Sequence, residues 1–269
     1  MRSVLNHLGA LTRRDLIIEL SYHFQLATAL FGILMSVLTF YFLGRLVGDS
    51  DQLAQWEGGY FEFALIGLVV MAYSQVCVTA FGRSIAAAQT GGTFEILLAS
   101  RVRLPTLMGG TLTVPLLLAS VQAAVYLLFG WLLGGFTIPV SAIPLTVLLM
   151  LLTLGTFAAI GIGSAAIIIL TKRGDPFSAI VMQASNALAG AIFPISVLPE
   201  WLQAVSHTIP AFYGMRGVRQ LVLAGGGLAD VWVDIAVLAG FNAILIPLSL
   251  LALSHAVRVA RITGTLGNR

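Results

Sequence analysis

Six apolar runs dominate this sequence, each near the length at which a helix can cross a lipid bilayer. A helix rises about 1.5 Å per residue, so about 20 apolar residues span a hydrocarbon core of about 30 Å. The runs cover about 24–47, 60–81, 104–133, 142–170, 177–193 and 229–253, the fifth being short and closed by Pro194. Only 9% of the 269 residues are charged, and mean hydropathy is +0.98. A soluble domain carries about a quarter charged residues, so most of this surface faces something other than water. The expected fold is an all-α integral membrane protein: one transmembrane domain of six spans over 1–269.

Basic residues orient the spans, because short cytoplasmic loops collect Lys and Arg. Arg2, Arg13 and Arg14 precede the first run, and Arg83, Arg101 and Arg103 lie between the second and third. Lys172 and Arg173 join the fourth and fifth, and Arg258, Arg261 and Arg269 follow the sixth. Eleven of the 14 basic residues therefore fall on one side, leaving Arg45, Arg216 and Arg219 for the other. The first loop on that other side holds Asp49, Asp51 and Glu57. Both termini are expected in the cytoplasm, which requires an even number of spans. The first 20 residues do not read as a secretory signal, since Arg2, Arg13, Arg14, Asp15 and Glu19 interrupt each apolar stretch.

Several chemistries are excluded. Lys172 is the single lysine and follows no Gly-rich loop, so no P-loop is present and ATP dependence must come from a partner. His7, His23, His207 and His255 are widely separated and form no zinc-binding helix. Cys77, the single cysteine, excludes an internal disulfide and a cysteine-built metal site. A net charge of +3 does not argue for nucleic acid. Gly161-Ile162-Gly163-Ser164 lies inside a long apolar run and lacks the second glycine of a nucleophile turn, so packing is the favoured reading. Small residues at Gly130-x-x-x-Gly134 and Gly32-x-x-x-Ser36, and Gly155, suit close helix packing. Pro115 and Pro247 are expected to kink their helices. Glu62, Gln75, Gln122, Gln183, Asn186 and Asn242 are the polar residues within spans. Interhelical hydrogen bonding is favoured for the amides, with substrate contact as the alternative. No ladder of buried charge appears, which disfavours an ion-driven carrier.

Two segments between spans carry more pattern than loops need. In 83–103, Gly91-Gly92 breaks the chain, Thr93 can cap a short helix, and Glu95 complements its dipole. Phe94, Ile96, Leu97 and Leu98 give that helix an apolar face, which lies on the bilayer or docks into another protein. In 193–213, Pro194, Pro199 and Pro210 punctuate the chain, with Trp201, Leu202, Val205 and Ile209 at helical spacing. A second short helix from Met215 to Ala224 ends at Gly225-Gly226-Gly227. The pair suggests a re-entrant element at the outer surface over about 194–227. Arg216 and Arg219 lie three apart and would share a helix face. They either snorkel to headgroups or pair with Glu200, Asp230 or Asp234, or they hold a gate or guide an anionic group.

The order of these features resembles the membrane (permease) subunit of an ABC type-2 exporter. The residues that carry the resemblance are Gly92, Thr93, Glu95, Leu97, Leu98, then Phe193, Pro194, Ser196, Leu198, Pro199, Trp201 and Leu202, continued by Pro210, Arg219 and Gly225. The resemblance implies a second permease subunit, a homodimer being favoured, and two separate nucleotide-binding ATPase subunits that carry ATP-Mg. This chain would bind no cofactor and no metal, and would not be an enzyme by itself. It also implies a cytoplasmic coupling helix at about 84–100 (Gly92, Thr93, Phe94, Glu95, Ile96, Leu97, Leu98) and an interface helix at about 4–22. Phe193, Pro194, Pro199, Trp201, Arg216 and Arg219 would belong to an outer gate. The implied setting is the cytoplasmic (inner) membrane of a prokaryote, and the substrate an amphipathic or lipid-linked molecule. The rival readings are a membrane anchor or assembly protein that moves nothing, and an ion-driven carrier.

Overall fold

The computed structural model describes residues 23–47, 59–91, 104–171 and 175–262. Among them the chain is helical and has no strand. We label the helices α1 (His23–Val47), α2 (Gly59–Thr90), α3 (Leu104–Gly134), α4 (Ile143–Thr171), α5 (Pro176–Leu188), α6 (Glu200–Ser206), α7 (Pro210–Val222) and α8 (Leu228–Ile262). Short 3-10 turns at Val140–Ala142 and Ile195–Val197 precede α4 and α6. Among the described residues five stretches are long and apolar enough to cross a membrane: Ala27–Val47, Gly59–Ala87, Thr111–Gly134, Val140–Thr171 and Leu228–Ala260. They coincide with five of the six expected runs. Helices α3 and α8 continue through Pro115 and Pro247.

The fifth run differs. Only 13 residues, Pro176–Leu188, are helical, giving about 20 Å, well short of the hydrocarbon core. Its start is firmly set. Asp175 caps the helix by accepting the Ser178 backbone N–H at 3.0 Å and the Ser164 hydroxyl of α4, with Pro176 in the first turn. Its end is set by Gly190, whose φ of 75° lies in the left-handed region and turns the chain before Pro194 arrives. Helix α2 also exceeds expectation, running to Thr90 before a turn at Gly91. Residues 84–90 of the expected coupling helix therefore continue α2. Residues 92–100, with Gly92, Thr93, Phe94, Glu95, Ile96, Leu97 and Leu98, lie outside the described residues, as does the expected interface helix at 4–22.

Helix α4 is central, packing against both α8 and α2, and α2 also packs against α3. One cluster gathers Val37, Phe63, Leu65, Leu149, Met215 and Leu238 from five helices. A second, where α2, α4 and α8 approach their C-terminal ends, joins Phe81, Ile85, Ile169, Val257 and Ala260. Arg83 and Arg258 are exposed at that end. Glycines set the close approaches. A Cβ at Gly134 would stand 2.9 Å from the Phe61 ring of α2, and one at Gly161 would stand 2.5 Å from the Cys77 carbonyl. Gly32 and Gly163 meet nothing within 4 Å among the described residues, so no packing seam forms there at Gly32. The Ser36 hydroxyl instead donates to the Gly32 carbonyl at 2.9 Å.

The intramembrane amides divide. Asn242 of α8 donates to the Leu152 carbonyl at 2.8 Å and the Thr156 hydroxyl at 2.9 Å, tying α8 to α4. Gln75 and Gln183 are exposed.

Candidate functional site

Between α5 and α8 the chain from Ala189 to Gly227 forms only short helices, and proline and glycine place its turns. Pro210 sits in the first turn of α7, where its fixed φ suits a helix start and its missing N–H is no loss. That start lies five residues before the expected Met215. Gly225, with φ of 63°, closes the exit from α7, and the Gly226 N–H donates back to the Gln220 carbonyl at 2.9 Å. The next helix is capped by Asp230, which accepts the Gly227 N–H at 2.7 Å. Helix α7 lies against α4 at near-backbone distance. A Cβ at Gly217 would stand 2.7 Å from Leu149, and one at Gly214 would collide with Thr153.

Arg216 and Arg219 leave α7 toward different partners. Arg216 donates to the Asp234 carboxylate of α8 from Nη2 at 2.7 Å and from Nε at 3.0 Å. Asp234 is 1% exposed, whereas the Arg216 side chain is 38% exposed. The guanidinium also lies over the rings of Phe212 and Tyr213, at 5.1 and 5.5 Å from their centroids. Of the three candidate acids Glu200, Asp230 and Asp234, the last is the partner.

Arg219 neither reaches headgroups nor pairs with an acid among the described residues. It is 3% exposed. Nη1 donates to the Gly190 carbonyl at 2.5 Å, and Nη2 to the Ala191 carbonyl at 2.7 Å. Nε and Nη2 both donate to the Phe63 carbonyl of α2, at 3.2 and 3.0 Å. The charge also stacks over the Phe63 ring, 3.4 Å from its centroid. One side chain thus ties the turn after α5, helix α7 and helix α2 together. Gly67 makes room for this, because a Cβ there would run into the Ala191 carbonyl and stand 2.9 Å from Arg219 Nη2.

Beside this clasp lies a cleft of about 220 Å³. Phe63, Pro194, Ile195 and Phe212 give it apolar wall, and Ser196, Arg216, Arg219 and Gln220 give it polar wall. Of the expected gate residues, the fold brings Pro194, Arg216 and Arg219 to the cleft. Phe193 is half-buried outside its lining, Pro199 is exposed before α6, and Trp201 is 66% exposed. The sequence reading did not single out Phe63, Gly67 or Gly190. Gly190, four residues before Pro194, was the available signal. Nothing local to α2 marks Phe63 and Gly67, whose roles come from a segment more than 120 residues away.

These features define a multi-pass helical membrane protein with a broken, arginine-clasped segment between its last long helices. Residues 6–223 match the family model described as ABC-2 type transporter. The chain belongs to that family, as its membrane domain. It is also similar to "ABC transporter G family member 20" of Dictyostelium discoideum, 26% identical over 195 residues that make up 69% of this chain and 26% of that protein. It thus spans about a quarter of that relative's length. The family is one of membrane transporters.

Proposed function

We propose that this chain is the transmembrane subunit of an ATP-driven exporter, two copies of which enclose the path of an amphipathic or lipid-linked substrate. The family match across 6–223 carries the reading. Hydrolysis of ATP-Mg belongs to two separate nucleotide-binding subunits, in keeping with a sequence whose single lysine follows no Gly-rich loop. Six spans cross the cytoplasmic membrane of a prokaryote, α5 and the chain after it making the fifth crossing, with both termini inside. The shared apolar end of α2, α4 and α8, with Arg83 and Arg258 exposed, supports one cytoplasmic face. The coupling segment at 84–100, which includes Glu95, and the interface segment at 4–22 receive the motion of the ATPase subunits. Rigid-body movement then switches the dimer between two arrangements. The segment at 194–227, with Phe193, is the outer gate. Among the described residues the buried charges, Arg219 and Asp234, are both engaged in protein contacts, which gives a carrier reading no support.

The test is reconstitution with the ATPase subunits in vesicles. Hydrolysis should depend on this chain and rise with substrate, and Glu95→Ala should lower that coupling without loss of assembly. Hydrolysis indifferent to the presence of this chain would reject the reading. In a Cys77→Ser background, cysteines at Gln52 and Ala224 should react with an impermeant thiol reagent outside intact cells, and one at Gln89 should not. Outside labelling at Gln89 would overturn the topology.

A further inference from the structure

We infer that the cleft beside Arg219 receives the anionic group, phosphate or carboxylate, of an amphiphile. The inference deepens the proposed function by naming the substrate chemistry that the 190–220 segment would meet, and it rests on that reading for its biological meaning.

The argument begins with charge. A guanidinium is protonated at neutral pH even where burial weakens its hold on the proton, so Arg219 brings a positive charge into a site where it is 3% exposed. Buried charges are ordinarily paired, and among the described residues no carboxylate pairs with this one. Its acceptors are the Gly190, Ala191 and Phe63 carbonyls, which are dipoles and not charges. They satisfy its hydrogen bonds without neutralising it. In surroundings of low dielectric the residual field is felt strongly by whatever occupies the adjoining space, and that space is the cleft.

The cleft's other groups agree with an anion. The charge of Arg216, which also lines it, is matched by Asp234, so the cleft keeps one unmatched positive charge. Arg216 spends Nε and Nη2 on that carboxylate, which leaves Nη1 outside the pair. Arg219 uses four of its five N–H bonds on carbonyls, leaving one on Nη1. Gln220 and the exposed Ser196 add neutral donors.

Size narrows the class. Pockets that enclose drug-sized ligands run from about 300 Å³ upward, and this one is about 220 Å³. It accommodates an ionic head and not a whole amphiphile. Beside it the chain exposes Ile192 and Val197, at 39% and 55%, apolar surface suited to the start of a hydrocarbon tail.

Ser196→Glu tests the inference because it sets a carboxylate at the cleft and leaves every residue of the arginine clasp in place. The full chain, in phosphatidylcholine nanodiscs, would be titrated calorimetrically with hexyl phosphate, with inorganic phosphate and with the zwitterion hexylphosphocholine. Wild type should bind hexyl phosphate saturably and more tightly than the zwitterion. Ser196→Glu should weaken hexyl phosphate about tenfold, whether its carboxylate repels the probe or occupies the guanidinium itself, with the melting temperature unchanged. Competition by inorganic phosphate would show that the free anion is also taken. Failure of inorganic phosphate to compete would assign the site to amphiphiles. Both results uphold the shared chemistry. No saturable binding of hexyl phosphate by wild type, or equal binding by Ser196→Glu, would overturn it. Because the titration needs no ATPase subunit, a negative result leaves the exporter reading to the vesicle assay, and a positive one does not prove it.

Discussion

Helices α4 and α8 hold each other along their length through apolar packing, while the turn after α5, at Gly190 and Ala191, is held through its backbone carbonyls. In the first region apolar side chains such as Leu149 and Leu238 interlock, and Asn242 adds a hydrogen-bonded brace. In the second, Arg219 gathers three carbonyls and Arg216 grips Asp234. The difference follows from backbone supply. A continuous helix satisfies its own N–H and C=O groups, so its neighbours need only fit. A chain broken at membrane depth exposes carbonyls, and something must donate to them. Arginine suits that task, since its planar fork serves several acceptors at once. The regular pair thus relies on apolar fit, whereas the turn after α5 relies in addition on the donors of Arg219.

The sharpest way to break this contrast is Arg219→Met, which preserves bulk and removes every donor. It should destabilise the purified protein by about 3 kcal/mol or more, because the Gly190 and Ala191 carbonyls lose their charged donor in a buried site. Arg219→Lys should fail to restore stability, since one ammonium cannot reproduce the fork. Thermal melting in detergent measures both. A loss below about 1 kcal/mol for Arg219→Met would mean that the segment is held by packing like the rest.

Gly67→Ala probes the same clasp from the α2 side. The added methyl meets the Ala191 carbonyl, and the cost should be about 2 kcal/mol. Asn242→Leu removes the brace from the regular region and should cost about 1 kcal/mol, within the range for interhelical hydrogen bonds in membranes. A cost equal to that of Arg219→Met would erase the distinction between the regions. The smallest effect belongs to Gly32→Ala. Nothing among the described residues lies within 4 Å of the added methyl, and the change should stay within about 0.5 kcal/mol in the isolated subunit. A clearly larger loss would show that this face of α1 is packed against a segment outside the described residues.

The long helices were legible because hydropathy acts over 20 residues and averages out local detail. Their ends were less so: α2 runs nine residues past Phe81, because Gly82 is tolerated in a helix interior where its missing side chain admits Ile168 and Asp175. The short α5 was readable as a run but not as a complete span, since composition does not reveal where Gly190 takes a left-handed φ. At the cleft, Arg216 and Arg219 were visible as basic residues on the wrong side of the charge asymmetry. That they face different partners was not visible, since a spacing of three sets neighbours on α7 but not the helices packed against it. Asp234 was one of three candidate acids, and distance along the chain could not choose among them.

Helices α2 and α8, with 32 and 35 residues, also say something about depth. Each is roughly 50 Å long, and even at a tilt of about 40° it projects to roughly 38 Å. A hydrocarbon core of about 30 Å does not cover that. Both rods therefore emerge from the lipid, and at one end they emerge together, since Ile85 and Val257 share an apolar cluster with α4. The distance from one end of this assembly to the other is fixed by protein packing and not by lipid. In a thicker or thinner bilayer the bundle would change how deeply it is immersed while keeping its own length.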